Sequence, residues 1–124
     1  MKKLELGIKG YEEKIVDSED SAEKLGNVGV NVLSSPSMIG FMELTCRHSV
    51  APYLEDDETT VGIAFDIKHL ASAKLGSLIN CDSELVDIKG KRLIFSVVCY
   101  TDYKIIGQGI HQRYIKKPQE IKKY

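Results

Sequence analysis

The sequence contains no tryptophan, only three prolines and only three cysteines among 124 residues, and aromatic residues make up just 7% of it. Cys46, Cys81 and Cys99 are too few and too widely spaced for a disulfide framework, and no CxxC pair occurs. His48, His69 and His111 are not spaced as zinc ligands, so no metal is expected. Unpaired thiols fit a reducing compartment, and a cytoplasmic location is expected. No apolar run approaches the roughly 20 residues of a membrane helix. The opening Met1-Lys2-Lys3-Leu4-Glu5 runs on to Gly7 and Lys9 without an apolar stretch, so neither a membrane partner nor a leader is expected. An excess of either charge is missing too. Seventeen lysines and arginines stand against 18 acids, a net charge of -1, which gives no electrostatic basis for binding nucleic acid. The basic run Lys116, Lys117, Lys122 and Lys123 reads as a solvated tail over 116–124. No internal repeat and no low-complexity segment is present.

What remains describes one small domain. Hydrophobic residues at 43% and charged residues at 28% exclude disordered and fibrous classes. A strand is predicted from Tyr11 to Asp17, after breaks at Gly7 and Gly10. A short helix follows between Asp17 and Leu25, stopped by Gly26. Val28, Val30 and Val32 alternate against Asn27, Gly29 and Asn31, which predicts a second strand over Asn27 to Leu33. The strongest helix starts with Ser35 as N-cap and Pro36 at the first helical position, and Pro52 ends it near Ala51. Ile39, Met42, Cys46, Val50 and Tyr53 share its apolar face, with Glu43 at the edge. Beyond the acidic loop 55–58 the chain reads as strands. In the first, Val61, Ile63, Phe65, Ile67 and His69 alternate on one face. Further strands are predicted from Gly76 to Ile88, Leu93 to Tyr100 and Lys104 to Ile115. The third of these four, apolar on both faces, is placed in the middle of the sheet. One long helix with a long antiparallel meander is an α+β pattern whose sheet wraps the helix.

Several residues carry two readings at this point. Glu43 is a candidate carboxylate catalyst, or an ordinary i,i+4 partner of Arg47. His69 falls on the core side of its strand, where it is either a satisfied polar residue or a proton carrier, histidine being the side chain that ordinarily changes charge near neutral pH. Ser35 is a cap, or a hydroxyl that orients a neighbour. Gly40 allows close substrate approach or helix packing. Gly62 marks a bulge or a close backbone approach. His111 and Arg113 share a strand face and either contact phosphates or form a structural ion pair with an acid of a neighbouring strand or subunit. His48 faces solvent and Cys46 the core.

The ordered set Ser35-Pro36, Met42-Glu43, Thr60-Val61-Gly62, His69-Leu70, Leu75-Gly76 and the closing Gly107-Gln108-Gly109-Ile110-His111-Gln112-Arg113 resembles the fluoroacetyl-CoA thioesterase-like branch of the hot-dog fold over about residues 11–115. The resemblance implies a hot-dog domain and the hydrolysis of a small acyl-CoA without metal or cofactor, by Ser35, Glu43 and His69. Members more often carry threonine where this chain has Ser35. In that reading Glu43 attacks the thioester or activates water, His69 handles protons and Ser35 positions. Gly40, Gly62, His111 and Arg113 line the substrate, and the pantetheine arm enters between the subunits of a homodimer. Two other readings stay open: a non-catalytic acyl-CoA binding or sensing module on the same fold, and a purely structural interaction domain. The stretch Asn27 to Ser37 holds no aromatic ring to clamp a very small acyl group, so fluoroacetyl specificity itself is not expected.

Overall fold

The computed structural model describes residues 3–121; Met1 and Lys2 of the opening segment, and Lys122 and Lys123 of the basic tail, lie outside the described residues. Five strands, β1 (Lys9–Ile15), β2 (Thr59–His69), β3 (Leu78–Lys89), β4 (Arg92–Tyr100) and β5 (Ile105–Lys116), form one antiparallel sheet in the order β1-β3-β4-β5-β2. The helix α1 (Ser35–Val50) packs on one face of it, and a short α2 (Pro118–Ile121) follows the last strand. The apolar strand β4 is central, as its composition requires. Its inward Leu93, Phe95, Val97 and Cys99 meet Ile79, Cys81 and Leu85 of β3 and Met38, Met42, Cys46 and Val50 of α1 in one buried core. Among the described residues no helix is long and apolar enough to cross a membrane.

Four local expectations are corrected. First, Asn27–Leu33 is not a strand. Gly26 and Gly29 turn the chain at positive φ, Val28 is 89% exposed, and only isolated bridges Ser21↔Leu33 and Val32↔Lys74 form. Alternation alone cannot make a strand where no neighbouring strand accepts its backbone hydrogen bonds. Second, Gly10 lies inside β1 rather than before it. A Cβ there would stand 2.8 Å from Ser49 Cβ, so glycine lets the strand pass close under α1. Third, the cap of α1 is Ser34, whose hydroxyl accepts from the Ser37 amide at 3.2 Å. Ser35 is the first helical residue and Pro36 follows it, so the Ser35 hydroxyl is released from capping. Its buried stripe also holds Met38, Phe41 and Thr45, while Ile39 is only half-buried.

The fourth correction shapes the site. β2 carries a bulge between Gly62 and Ala64, so that Gly62 pairs with Arg113 but Phe65 pairs with His111. The extra residue, Ile63, reverses the phase of the strand. Val61 and Ile63 therefore leave the face they were expected to share with Phe65, Ile67 and His69, and Thr60 and Gly62 join it instead. The glycines of the β5 motif meet the same neighbourhood. A Cβ on Gly107 would strike Met38, and one on Gly109 would strike the Asp66 carbonyl of β2.

Candidate active site

β2 is an edge strand, and α1 runs antiparallel beside it. Two groups of side chains gather along this seam. At one end, Ser35 Oγ lies 2.7 Å from His69 Nδ1. The hydroxyl reaches the ring because Ser34 does the capping. The second ring nitrogen, Nε2, is buried and has no hydrogen-bond partner, a state that ordinarily costs about 1–3 kcal/mol and that a bound polar atom would relieve.

At the other end stands Glu43. Its partner is not Arg47, which is exposed, but Arg113 on β5. Arg113 Nη1 donates to Glu43 Oε2 at 2.9 Å. The same guanidinium donates from Nε to Thr60 Oγ1 at 2.7 Å and from Nη2 to the Thr60 carbonyl at 2.8 Å. Nη1 also donates to His111 Nε2 at 3.1 Å. A guanidinium cannot accept a hydrogen bond, so His111 carries its proton on Nδ1 and donates it to the Ala64 carbonyl at 2.9 Å. The chain of bonds thus runs from the β2 bulge through His111 and Arg113 to the carboxylate. His111 is 0% and Arg113 3% exposed, whereas the Glu43 side chain keeps 37%.

These facts revise the expectations for β5. His111 and Arg113 do share a face, but both are sealed under Glu43, and four of Arg113's five N–H donors are used within the chain. Of the two readings the ion pair is present, with its acid, Glu43, supplied by the helix rather than by a neighbouring strand. Gly62 shows both the bulge and the close approach. A Cβ there would collide with Glu43 Oε2 and would lie 3.2 Å from His111 Cε1 and 3.3 Å from Phe65 Cζ. Gly40 is exposed, and a Cβ there would meet nothing within 4 Å, which removes the helix-packing reading and leaves open space. Thr60, Ala64 and Phe65 were not singled out for the site. The signal present was the run Thr60-Val61-Gly62, whose use shows once the bulge is known.

Within one chain Ser35 and Glu43 are eight residues apart on α1, about 12 Å of helical rise, so the structure brings Ser35 to His69 and Gly62, His111 and Arg113 to Glu43, as two clusters. Thiol chemistry is unavailable to either. The three cysteines are free and buried, and burial pushes Cys46 and Cys81 up to about 12 and Cys99 up to about 11. Among the described residues no group of three or more His, Cys, Asp and Glu is gathered for a metal.

His111 has a measurable consequence. Burial first, and then the Arg113 charge, push its pKa below 6.5, against the opposing pull of the Ala64 carbonyl and Glu43. Below pH 6.5 the unfolded chain takes up a proton that the folded chain refuses, so acid favours unfolding. Thermal melts should hold level above this point and fall as pH drops from about 6.5. His111→Gln should flatten that part of the curve; an identical slope in the variant would assign the acid sensitivity elsewhere.

A five-stranded antiparallel sheet curled on one long helix, with polar groups along the helix–edge seam, defines a hot-dog domain. A hot-dog-like protein from Thermanaerovibrio acidaminovorans superposes with a TM-score of 0.87 over 95% of this chain and 87% of that one, at 17% identity. Within that fold, residues 16–119 match the family model for fluoroacetyl-CoA-specific thioesterase, and the chain belongs to this family. The fluoroacetyl-CoA thioesterase of Streptantibioticus cattleyicolor is 34% identical over 82 residues, a match spanning 66% of this chain and 59% of that protein. A variant of the fluoroacetyl-CoA-specific thioesterase solved with fluoroacetate and CoA superposes with a TM-score of 0.89, at 25% identity, over 95% of this chain and 99% of that one.

Proposed function

We propose that this chain is an acyl-CoA thioester hydrolase acting on a small acyl group, with Glu43, His69 and Ser35 as its working residues. One observation carries the reading: a carboxylate that stays partly open to solvent is clamped from behind by a buried arginine and laid against a glycine backbone. Such a group is held in position for a carbonyl carbon. It attacks to give a mixed anhydride or takes the proton of an attacking water. His69 protonates the departing thiolate or assists the water, and Ser35 sets the orientation of its ring. The chemistry asks for no metal and no cofactor beyond the CoA of the substrate. The proposal places it in the cytoplasm, where three unpaired thiols stay reduced.

The two clusters lie at opposite ends of a free edge strand. Antiparallel pairing of β2 with the β2 of a second copy about a two-fold axis sets the Ser35–His69 end of one protomer beside the Glu43 end of the other. It also covers an edge that would otherwise invite aggregation. The proposed enzyme is thus a homodimer with the pantetheine arm entering between subunits. Light scattering at micromolar concentration should give about twice the 13.9 kDa of the chain; a clean monomer would remove the shared site. Gly40 contributes the open space on the exposed side of α1.

The decisive test is release of free thiol from short, branched and aromatic acyl-CoAs. Turnover with a small acyl group supports the proposal. The separation of the two clusters within one chain favours a second reading, a non-catalytic acyl-CoA binding or sensing module. That reading expects saturable acyl-CoA binding with no thiol release by any member of the panel.

A further inference from the structure

We infer that Phe65 sets the size of the acyl group accepted at the Glu43 site. This rests on the hydrolase reading and adds to it a specificity residue that the linear pattern did not reveal.

Phe65 reaches this position through the bulge. With Ile63 as the additional residue, Gly62 and Phe65 fall on the same face of β2, paired with Arg113 and His111. An unbroken strand would have turned Phe65 away. The ring tip and the Glu43 carboxylate then meet over one backbone position, since the space a Gly62 Cβ would claim touches both. One face of the Phe65 ring stacks on the His111 imidazole, with centroids 4.3 Å apart and planes inclined by 19°. Phe95 stands behind His111, its centroid 6.3 Å away. The ring cannot retreat into the sheet, because the imidazole behind it is pinned by the Ala64 carbonyl and Arg113. Its remaining surface is open: Phe65 is 45% exposed, in contrast to the sealed His111 and Arg113. The site therefore has two layers. Buried polar groups form the back, and a carboxylate and a rigid apolar wall stand side by side at the front. An acyl chain seated at the carboxylate must lie along that wall, and its length and branching are limited by a ring with no room to yield.

The test uses the full chain. kcat/KM is measured by thiol release for acetyl-, butyryl-, hexanoyl- and octanoyl-CoA in the unsubstituted protein and in Phe65→Ala, Phe65→Leu and Phe65→Tyr. A single methylene in a pocket shifts selectivity by roughly 10–200-fold, so the hexanoyl-to-acetyl ratio should rise by at least about tenfold in Phe65→Ala. Phe65→Leu should fall between, and Phe65→Tyr should stay near the parent. If Phe65→Ala does not fold, Phe65→Leu carries the comparison. A uniform loss across all four substrates would show a structural role and overturn the inference. So would an unchanged ratio accompanied by dissociation of the dimer, which would make Phe65 an interface residue only. Calorimetry with non-hydrolysable S-propyl- and S-hexyl-CoA gives a second readout. If the parent protein hydrolyses none of the panel yet Phe65→Ala shifts the ratio of the two Kd values, the hydrolase reading fails and the size-setting role stands. If the parent hydrolyses and neither ratio moves, the size-setting role fails alone.

Discussion

Glu43→Gln should lower kcat by at least about a hundredfold, the lower range for losing an acid–base or nucleophilic carboxylate, while the affinity for CoA stays nearly unchanged. The carboxylate is proposed to act as the carbonyl becomes tetrahedral or acylated, and a group used only there is lost from kcat rather than from binding. Glutamine keeps the helix and still offers an oxygen to Arg113, so the fold should survive. Glu43 retains more than a third of its surface but Arg113 only 3%, so losing the charge lowers stability by more than an exposed pair would, a change the melting temperature reads separately from kcat. Arg47→Gln is the control. Arg47 is exposed and Glu43 is held by Arg113 instead, so this substitution should leave turnover standing. Equal losses in the two variants would show that Glu43 is a helix-surface residue and not the catalytic carboxylate.

The second large effect is expected at Gly62. Gly62→Ala puts a methyl group where Glu43 Oε2 now lies. The carboxylate, at the end of a flexible side chain, swings aside, while His111 Cε1 at 3.2 Å and Phe65 Cζ at 3.3 Å from the new methyl give by a few tenths of an ångström. A misplacement of about 1 Å at a reacting group is enough to cost about a hundredfold in rate. Turnover should therefore drop steeply while the melting temperature changes by only a few degrees. The double variant with Glu43→Gln should be no worse than Glu43→Gln alone, because both changes act on one group. Additive losses would mean that Gly62 serves the reaction through something other than the carboxylate, such as its own backbone amide.

The difference between these two residues shows what a linear reading can reach. Glu43 could be picked out by its place at the rim of an apolar helix stripe, and Gly62 by the oddity of a glycine in a strand. Their contact could not, because it depends on how a helix and the edge strand that follows it pack against each other. Arg113 shows the same limit. Two apart from His111 on one strand, it was rightly given a shared face, but its acid lies 70 residues away on α1, beyond any local spacing rule.

Local chemistry was sufficient wherever backbone and short-range side-chain preferences act alone. Pro36 and Pro52 bracket α1, Gly26 stops the turn before it, and the doubly apolar Leu93 to Tyr100 goes to the middle of the sheet. The α+β architecture and the family follow from these and from the ordered polar residues. Three features depended on the assembled fold. Asn27–Leu33 alternates like a strand but finds no strand to pair with. Ser34 takes the cap because its own backbone is extended at the helix entrance, which leaves Ser35 for His69. The bulge at Ile63 shifts the face of half a strand, since a period of two turns a single extra residue into an inversion of every side chain beyond it. That inversion brings Phe65 and Gly62 together at the carboxylate; the glycine signals a bulge from within β2, but only the register with β5 shows where the extra residue sits.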